Sequence, residues 1–431
     1  LAARGPSSII QNNADALALI TAPGEAGPIE LAATDTIVAG VVQQTTTPAV
    51  VSMTDKVLRA RTLSIQADKA GLSSSGGTLT PASADGVLFL DNASTADLQI
   101  SAVLADNGGA ATYEKSGSGR LTLSAANTFS GSLTVREGKV LLDHAEALRY
   151  ATLNAAGSGV EFSSAVTDGI FYVGALGNSG QLTLQNQAGA PVTLRMADDA
   201  STTFAGTLSG SGGLVKAGSG TLTLASPNTY SGGTRIESGR IVAADADALG
   251  TGAVWNDGTL DLVQARRPVV ALANGLGGSG TINVTISNEG GDFTQVLNGN
   301  YAGFMGTWNL LSINGAAGRV QMNGLDNPLA TVNVQSNVLL LANGTQVHTA
   351  ALNLFGGNTG SANGQLRIEG NAEWAGPITL MAPITDTNDA FFGAGNSAII
   401  SGHIRDNGTN YMVRKLAGGY VTFANPTNAF T

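Results

Sequence analysis

The residues of this chain that can do chemistry are few and scattered. None of its 431 residues is cysteine, which excludes thiolate nucleophiles, disulfide scaffolds, zinc fingers and iron–sulfur clusters. The three histidines, His144, His348 and His403, carry no metal-binding spacing such as HExxH. Each is expected at the surface or in a turn. The carboxylates come in short-range pairs: Asp198 with Asp199, Asp245 with Asp247, Asp257 with Asp261, and Asp386 with Asp389. Glycoside hydrolysis needs two carboxylates facing each other at about 5–10 Å. Asp245, Asp257 and Asp261, with Trp255 beside them, are the set that one turn of chain could bring to a common face. A serine nucleophile would need a G-x-S-x-G elbow between strand and helix, and Gly177–Gln181 (GNSGQ) does not supply it. The glycine-rich GTLSGSGG at 206–213 lacks the Lys-Ser/Thr of a phosphate loop. GLGGSGTINV at 275–284 lacks the aspartate of a calcium nonapeptide, and NEGGDF at 288–293 is one loop with two acids. No catalytic, cofactor or metal site is expected, and the chain reads as a non-enzyme. Two rival readings stay open: a polysaccharide-acting enzyme built on the acids, and a carbohydrate-binding adhesin presenting Trp255, Trp308 and Trp374.

Composition defines the elements that would position such residues. Glycine supplies 58 residues, charged residues only 12% and aromatics 5%, while 43% are hydrophobic. That hydrophobic content and low charge argue against disorder. A net charge of −10 gives no cationic face for nucleic acid. No uncharged apolar run reaches the roughly 18 residues of a membrane helix. The chain starts at Leu1 without a basic-then-apolar leader, so it is expected to be processed or a fragment.

A repeat organises the sequence. KSGSGRLTLSAANTFSGSLTVREGKVLLDHAEAL from Lys115 aligns without a gap on KAGSGTLTLASPNTYSGGTRIESGRIVAADADAL from Lys216, an offset of 101. Gly119, Leu121, Leu123, Asn127, Phe129, Gly131 and Gly138 fall on Gly220, Leu222, Leu224, Asn228, Tyr230, Gly232 and Gly239. The acid within the motif is not constant, since Glu146 stands where Asp247 does. The copies run over 115–148 and 216–249. A degenerate copy covers 364–380 (Leu366, Ile368, Trp374, Gly376, Ile378, Leu380), and a truncated one covers 415–431, reaching Asn428 and Phe430. A weak echo surrounds Phe304, Gly306 and Trp308. Ile9, Ile10 and ADAL from Ala14 resemble the later half of a copy. The chain thus begins and ends inside repeats, so the expected partners are flanking repeats or neighbouring protomers end to end.

In LTL (121–123), LTV (133–135) and KVLL (139–142) apolar residues lie two apart, which sends them to one strand face. Glycines break these strands every few residues. Short strands that keep turning with one face apolar can stack as a right-handed parallel β-helix, each rung burying its face on its neighbours. Rungs of about 20–25 residues give roughly 18–20 rungs, and a spacing of about 4.8 Å gives a rod on the order of 90 Å long. The whole of 1–431 is expected to be one such all-β solenoid. Phe129, Tyr230, Trp374 and Phe430 are expected as core fillers at rung corners. Asn127 and Asn228 are expected to close turns with their amides.

The pattern G-x-G-x-L-x-L-x5-[FY]-[ST]-G followed by A-[DE]-A-L, carried by Gly117 to Leu148 and Gly218 to Leu249, resembles the passenger-associated transport repeat of bacterial autotransporters. The resemblance implies a β-helical passenger exported through the outer membrane by a C-terminal barrel of the same precursor. It also implies a place at the cell surface. The repeat, the ends that fall within it and the lack of a site lead to the expectation of a structural role as stalk, adhesin or filament subunit, with a surface glycan or another cell as partner. The strand run of such a barrel is not seen in this sequence.

Overall fold

The computed structural model describes the chain apart from residues 1, 5–8, 11–12, 21–27, 32, 158, 198, 264–271, 287–293, 314–317, 343–345, 357–364, 383–391, 395–396, 409–414, 417–418 and 429–431. All the regular elements among the described residues are β-strands. They pair in parallel and stack as a β-solenoid of about 15 turns. The count is below the expected 18–20 rungs. Paired residues of successive turns lie from 16 residues apart (Ala2 and Ala18) to 27 apart (Thr62 and Phe89). The chain divides into two compact units. One is Leu1–Leu222 with Asn228–Gly232, and the other is Thr223–Pro227 with Gly233–Thr431.

In the first unit one wall stacks Leu72–Ser75, Leu98–Ile100, Arg120–Leu123, Lys139–Leu142 and Val160–Phe162 in chain order. A second wall stacks Thr112–Ser116, Ser132–Val135, Leu148–Ala155, Ile170–Gly177 and Thr193–Met196. Register puts like on like: Leu121 lies between Leu98 and Val140, and Leu123 between Ile100 and Leu142. Leu121, Leu123, Leu133, Val135 and Val140 are buried, as their two-residue spacing requires. Each fully buried side chain of this kind contributes about 1.5–3 kcal/mol, and the rung above and below supplies the burial.

In the second unit the longest wall runs through Arg240–Ala243, Thr259–Val263, Thr281–Ile286, Thr307–Ser312, Thr331–Val334, Ala351–Leu354, Ile378–Leu380 and Ile404–Asp406. Its strands alternate buried and part-exposed residues: Ile282, Val284 and Ile286 point inward, Thr281, Asn283 and Thr285 outward. Val338–Ala342, Leu366–Ile368 and Phe392–Ala394 form part of another wall.

Candidate functional site

The repeated residues form a structural framework. Asn127 and Asn228 are buried, and their amides reach between rungs instead of closing their own turns. Asn127 Oδ1 accepts the Leu104 N–H at 2.9 Å, and its Nδ2 donates to the Ala147 carbonyl at 2.9 Å. Asn228 Oδ1 accepts the Leu208 N–H at 2.7 Å. In the truncated copy Asn428 Oδ1 accepts the Ile404 N–H at 2.9 Å. The residues after the first two, Thr128 and Thr229, donate to the carbonyls of the same Leu104 and Leu208. The side chain thus prolongs the inter-rung ladder where the backbone leaves it.

The motif glycines sit where neighbouring rungs approach closely. A Cβ on Gly119, Gly131, Gly220 or Gly232 would come within 2.6 Å of backbone atoms of a neighbouring turn. Gly138 and Gly239 have φ of +72° and +69°, a region that disfavours side chains. Beside Gly138 sits a feature that sequence reasoning missed. Lys115 is wholly buried, and its Nζ donates to the carbonyls of Ser116 (2.5 Å), Gly117 (2.6 Å) and Glu137 (3.3 Å). Burial pushes its ammonium down to about 8, against the pull of Asp91 and Glu137. Lys216, the equivalent residue, is also buried and donates to the Gly218 carbonyl. The signal was available, since both repeat copies begin on lysine.

Phe129, Tyr230 and Trp374 are buried. Phe430 lies outside the described residues. Phe129 meets the ring of Tyr113 edge-on, centroids 4.7 Å apart. The same aromatic-x-glycine corner recurs at Phe304 with Gly306 and, unrecognised in the sequence, at Phe204 with Gly206; both phenylalanines are buried. A Cβ on Gly206 or Gly306 would meet a neighbouring carbonyl oxygen at 1.8 or 2.0 Å.

The three tryptophans do not share an exposed face. Trp308 and Trp374 are buried, and Trp255 is 44% exposed. Trp255 Nε1 donates to Asp257 Oδ2 at 2.7 Å, and Asp257 Oδ1 also accepts the Ser279 N–H at 3.1 Å. Asp261 is buried; it pairs with Arg240 and accepts Asn283 Nδ2 at 2.8 Å. Asp245 Oδ1 caps the Asp247 N–H at 3.1 Å. Asp199 binds the hydroxyl and N–H of Ser219, which hold its carboxyl below the usual range. Asp198, Asp386, Asp389 and the loop 288–293 lie outside the described residues. Among the described residues no group of three or more metal-ligating side chains is placed to hold an ion.

The histidines divide. His144 Nδ1 accepts the Glu146 N–H at 3.0 Å in a turn, and half-buried His403 bonds through Nε2 to the Thr427 carbonyl at 2.8 Å. His348, expected at the surface or in a turn, is instead wholly buried. Its ring stacks on Trp374, centroids 5.4 Å apart, and neither nitrogen has a hydrogen-bond partner. Burial lowers its pKa, against the attraction of Asp326. The reason is register: His348 pairs with Trp374 at the aromatic corner, where side chains face the core.

A second feature absent from the sequence reading lies on the outside of the second unit. Asn283, Asn309, Asn333 and Asn353 occupy one register position. Each amide donates to the residue before it: Asn309 to Asn283 at 2.9 Å, Asn333 to Asn309 and Asn353 to Asn333 at 2.8 Å. Such ladders stabilise stacked parallel strands.

These elements define a parallel β-solenoid whose repeated residues hold rung to rung. Residues 114–142 and 214–243 match the family described as the passenger-associated-transport-repeat. A curated relative, the adhesin BmaC autotransporter of Brucella suis biovar 1 (strain 1330), is 29% identical over 178 residues. That match covers 39% of this chain and 5% of the relative, so the chain spans a small part of the relative's length. No solved structure matches the chain. The family match and the relative support an autotransporter passenger domain. Among the described residues no helix is long and apolar enough to cross a membrane.

Proposed function

We propose that the chain is a surface-displayed segment of an autotransporter passenger that works in adhesion. Its stacked rungs act as a stalk that holds contact surfaces away from the cell. The observation that carries this reading is the pair of transport repeats at 114–142 and 214–243, both built into rungs of a parallel solenoid. The adhesin relative supports the functional half. Anchoring is assigned to an outer-membrane barrel of a longer precursor. The role is non-enzymatic, in keeping with the structural engagement of Asp199, Asp245, Asp257 and Asp261.

The test is attachment. Bacteria displaying the chain on a neutral translocator barrel should bind epithelial layers or abiotic surfaces better than the same bacteria displaying the barrel alone. Equal attachment on every surface would overturn the adhesion reading.

A further inference from the structure

We infer that the hollow beside Tyr150 is a binding site for a neutral pyranose unit of a glycan. The hollow encloses about 460 Å³ and is lined by Ser130, Arg149, Tyr150 and Ala197, a size within the roughly 300–1,000 Å³ of small-molecule sites. Two of its lining residues, Arg149 and Tyr150, lie in a register break. Leu148 pairs with Val173, but Thr152 pairs with Ala175, so four residues on one strand oppose two on the next. Bulges of this kind re-aim side chains, and this one turns Arg149 and Tyr150 out of the wall. Gly174 faces them, and there a Cβ would stand 2.8 Å from the Tyr150 backbone.

The groups in and around the hollow suit a sugar. Tyr150 is 51% exposed in a strand whose other residues are buried or part-buried, and a phenol ring takes the apolar face of a pyranose while its hydroxyl stays wet. The Arg149 guanidinium lies 5.7 Å from the Tyr150 ring centre and 5.3 Å from that of Tyr172, within reach of both rings. Arg149 pairs with Glu146, with both side chains about one-third exposed or more. An exposed pair of this kind is worth little and leaves guanidinium donors for a ligand. Ser130 is held by Asp106, hydroxyl to Oδ2 at 2.7 Å and N–H to Oδ1 at 3.0 Å. Arg149 pairs with Glu146 and Ser130 with Asp106, so the two polar lining residues are each already matched to a carboxylate, which disfavours an anionic ligand and offers both donors and acceptors to hydroxyl groups.

These side chains are not part of the repeat. At the offset of 101 that aligns the two repeats, Gly250 and Thr251 stand in place of Arg149 and Tyr150. The aromatic and the cation therefore depart from the repeat at the position where the bulge exposes them.

The inference rests on the adhesion reading for its use but not for its test. Saturation-transfer NMR on the purified chain, with lactose, maltose and chitobiose as millimolar probes, should show transfer to at least one of them. The doubly substituted chain with Arg149→Gly and Tyr150→Thr loses two side chains that are part-exposed or exposed, and its melting curve should show that it folds. It should bind that sugar at least about tenfold more weakly, a loss of about 1.4 kcal/mol. Ser130→Ala should weaken it several-fold with an unchanged melting curve. No transfer to any of the three sugars would overturn the proposal. So would unchanged affinity in both variants, or a preference for N-acetylneuraminic acid. Cell attachment that persists without sugar binding would overturn this site alone, whereas sugar binding without attachment would overturn the adhesion reading alone.

Discussion

The side-chain amide of Asn127 accepts the backbone N–H of Leu104 at 2.9 Å, across 23 residues of sequence and one turn of the solenoid. The other end of the same amide donates to Ala147 in the following turn. One short side chain therefore ties three successive turns at a corner where the backbone ladder lapses. Asn127→Leu leaves the Leu104 N–H and the Ala147 carbonyl buried without partners, each costing about 1–3 kcal/mol. The Leu104 amide should lose hydrogen-exchange protection by that order, and amides of distant turns should not. Unchanged protection at Leu104 would contradict the inter-rung role.

Lys115 should give the first unit an alkaline signature. Its folded pKa is about 8, below the unfolded 10.5. Between those values the unfolded chain holds more protons at this site than the folded chain, so the free energy of unfolding rises with pH across that window. Tyr113 acts oppositely and later: burial raises its pKa above the ordinary 10.0, so stability it confers is present below about pH 10 and lost above. Lys115→Met removes the first effect and leaves the second. The native chain should therefore gain melting temperature relative to the variant between about pH 8 and 10.5, and the absence of that relative gain would contradict the burial of Lys115.

His348 predicts an acid limb in the second unit. Its folded pKa is lowered from 6.5 because the ring is buried without a hydrogen-bond partner. The unfolded chain takes up the proton first, so stability falls as pH drops below about 6.5 and continues to fall toward the folded pKa. His348→Phe, which keeps the stack on Trp374, should flatten the melting temperature over that range. A parallel decline in variant and native protein would assign the acid limb to other groups.

Leu121 and Leu222 are buried at equivalent positions of the two repeats. Replacing either by Asp places a charge in the core, a change expected to cost several kcal/mol. Because each turn is stabilised by its neighbours, limited proteolysis should cut near the altered rung. A digestion pattern unchanged by Leu121→Asp would contradict its inward assignment.

The sequence exposes what repeats at short range and hides what is spaced by whole turns. Leu121, Leu123 and Val140 are legible because two-residue alternation and flanking glycines mark a strand and its buried face. Asn283, Asn309, Asn333 and Asn353 are not, since turns of 26, 24 and 20 residues separate them and no fixed period connects them. Lys115 and His348 mislead by type: a lysine suggests a solvated end and a lone histidine a turn, but register puts both in the interior. Phe204 and Gly206 form a motif corner with too little of the surrounding pattern to stand out. Tyr150 is hidden for a further reason, because it departs from the repeat and is exposed by a bulge that spacing does not announce.

The central claim is that this solenoid belongs to a passenger presented outside the cell. Antibodies raised against the purified chain, applied to intact and to permeabilised bacteria that encode it, test this directly. The account predicts labelling of intact cells, removed by brief treatment with external protease. Labelling that appears only after permeabilisation would contradict it.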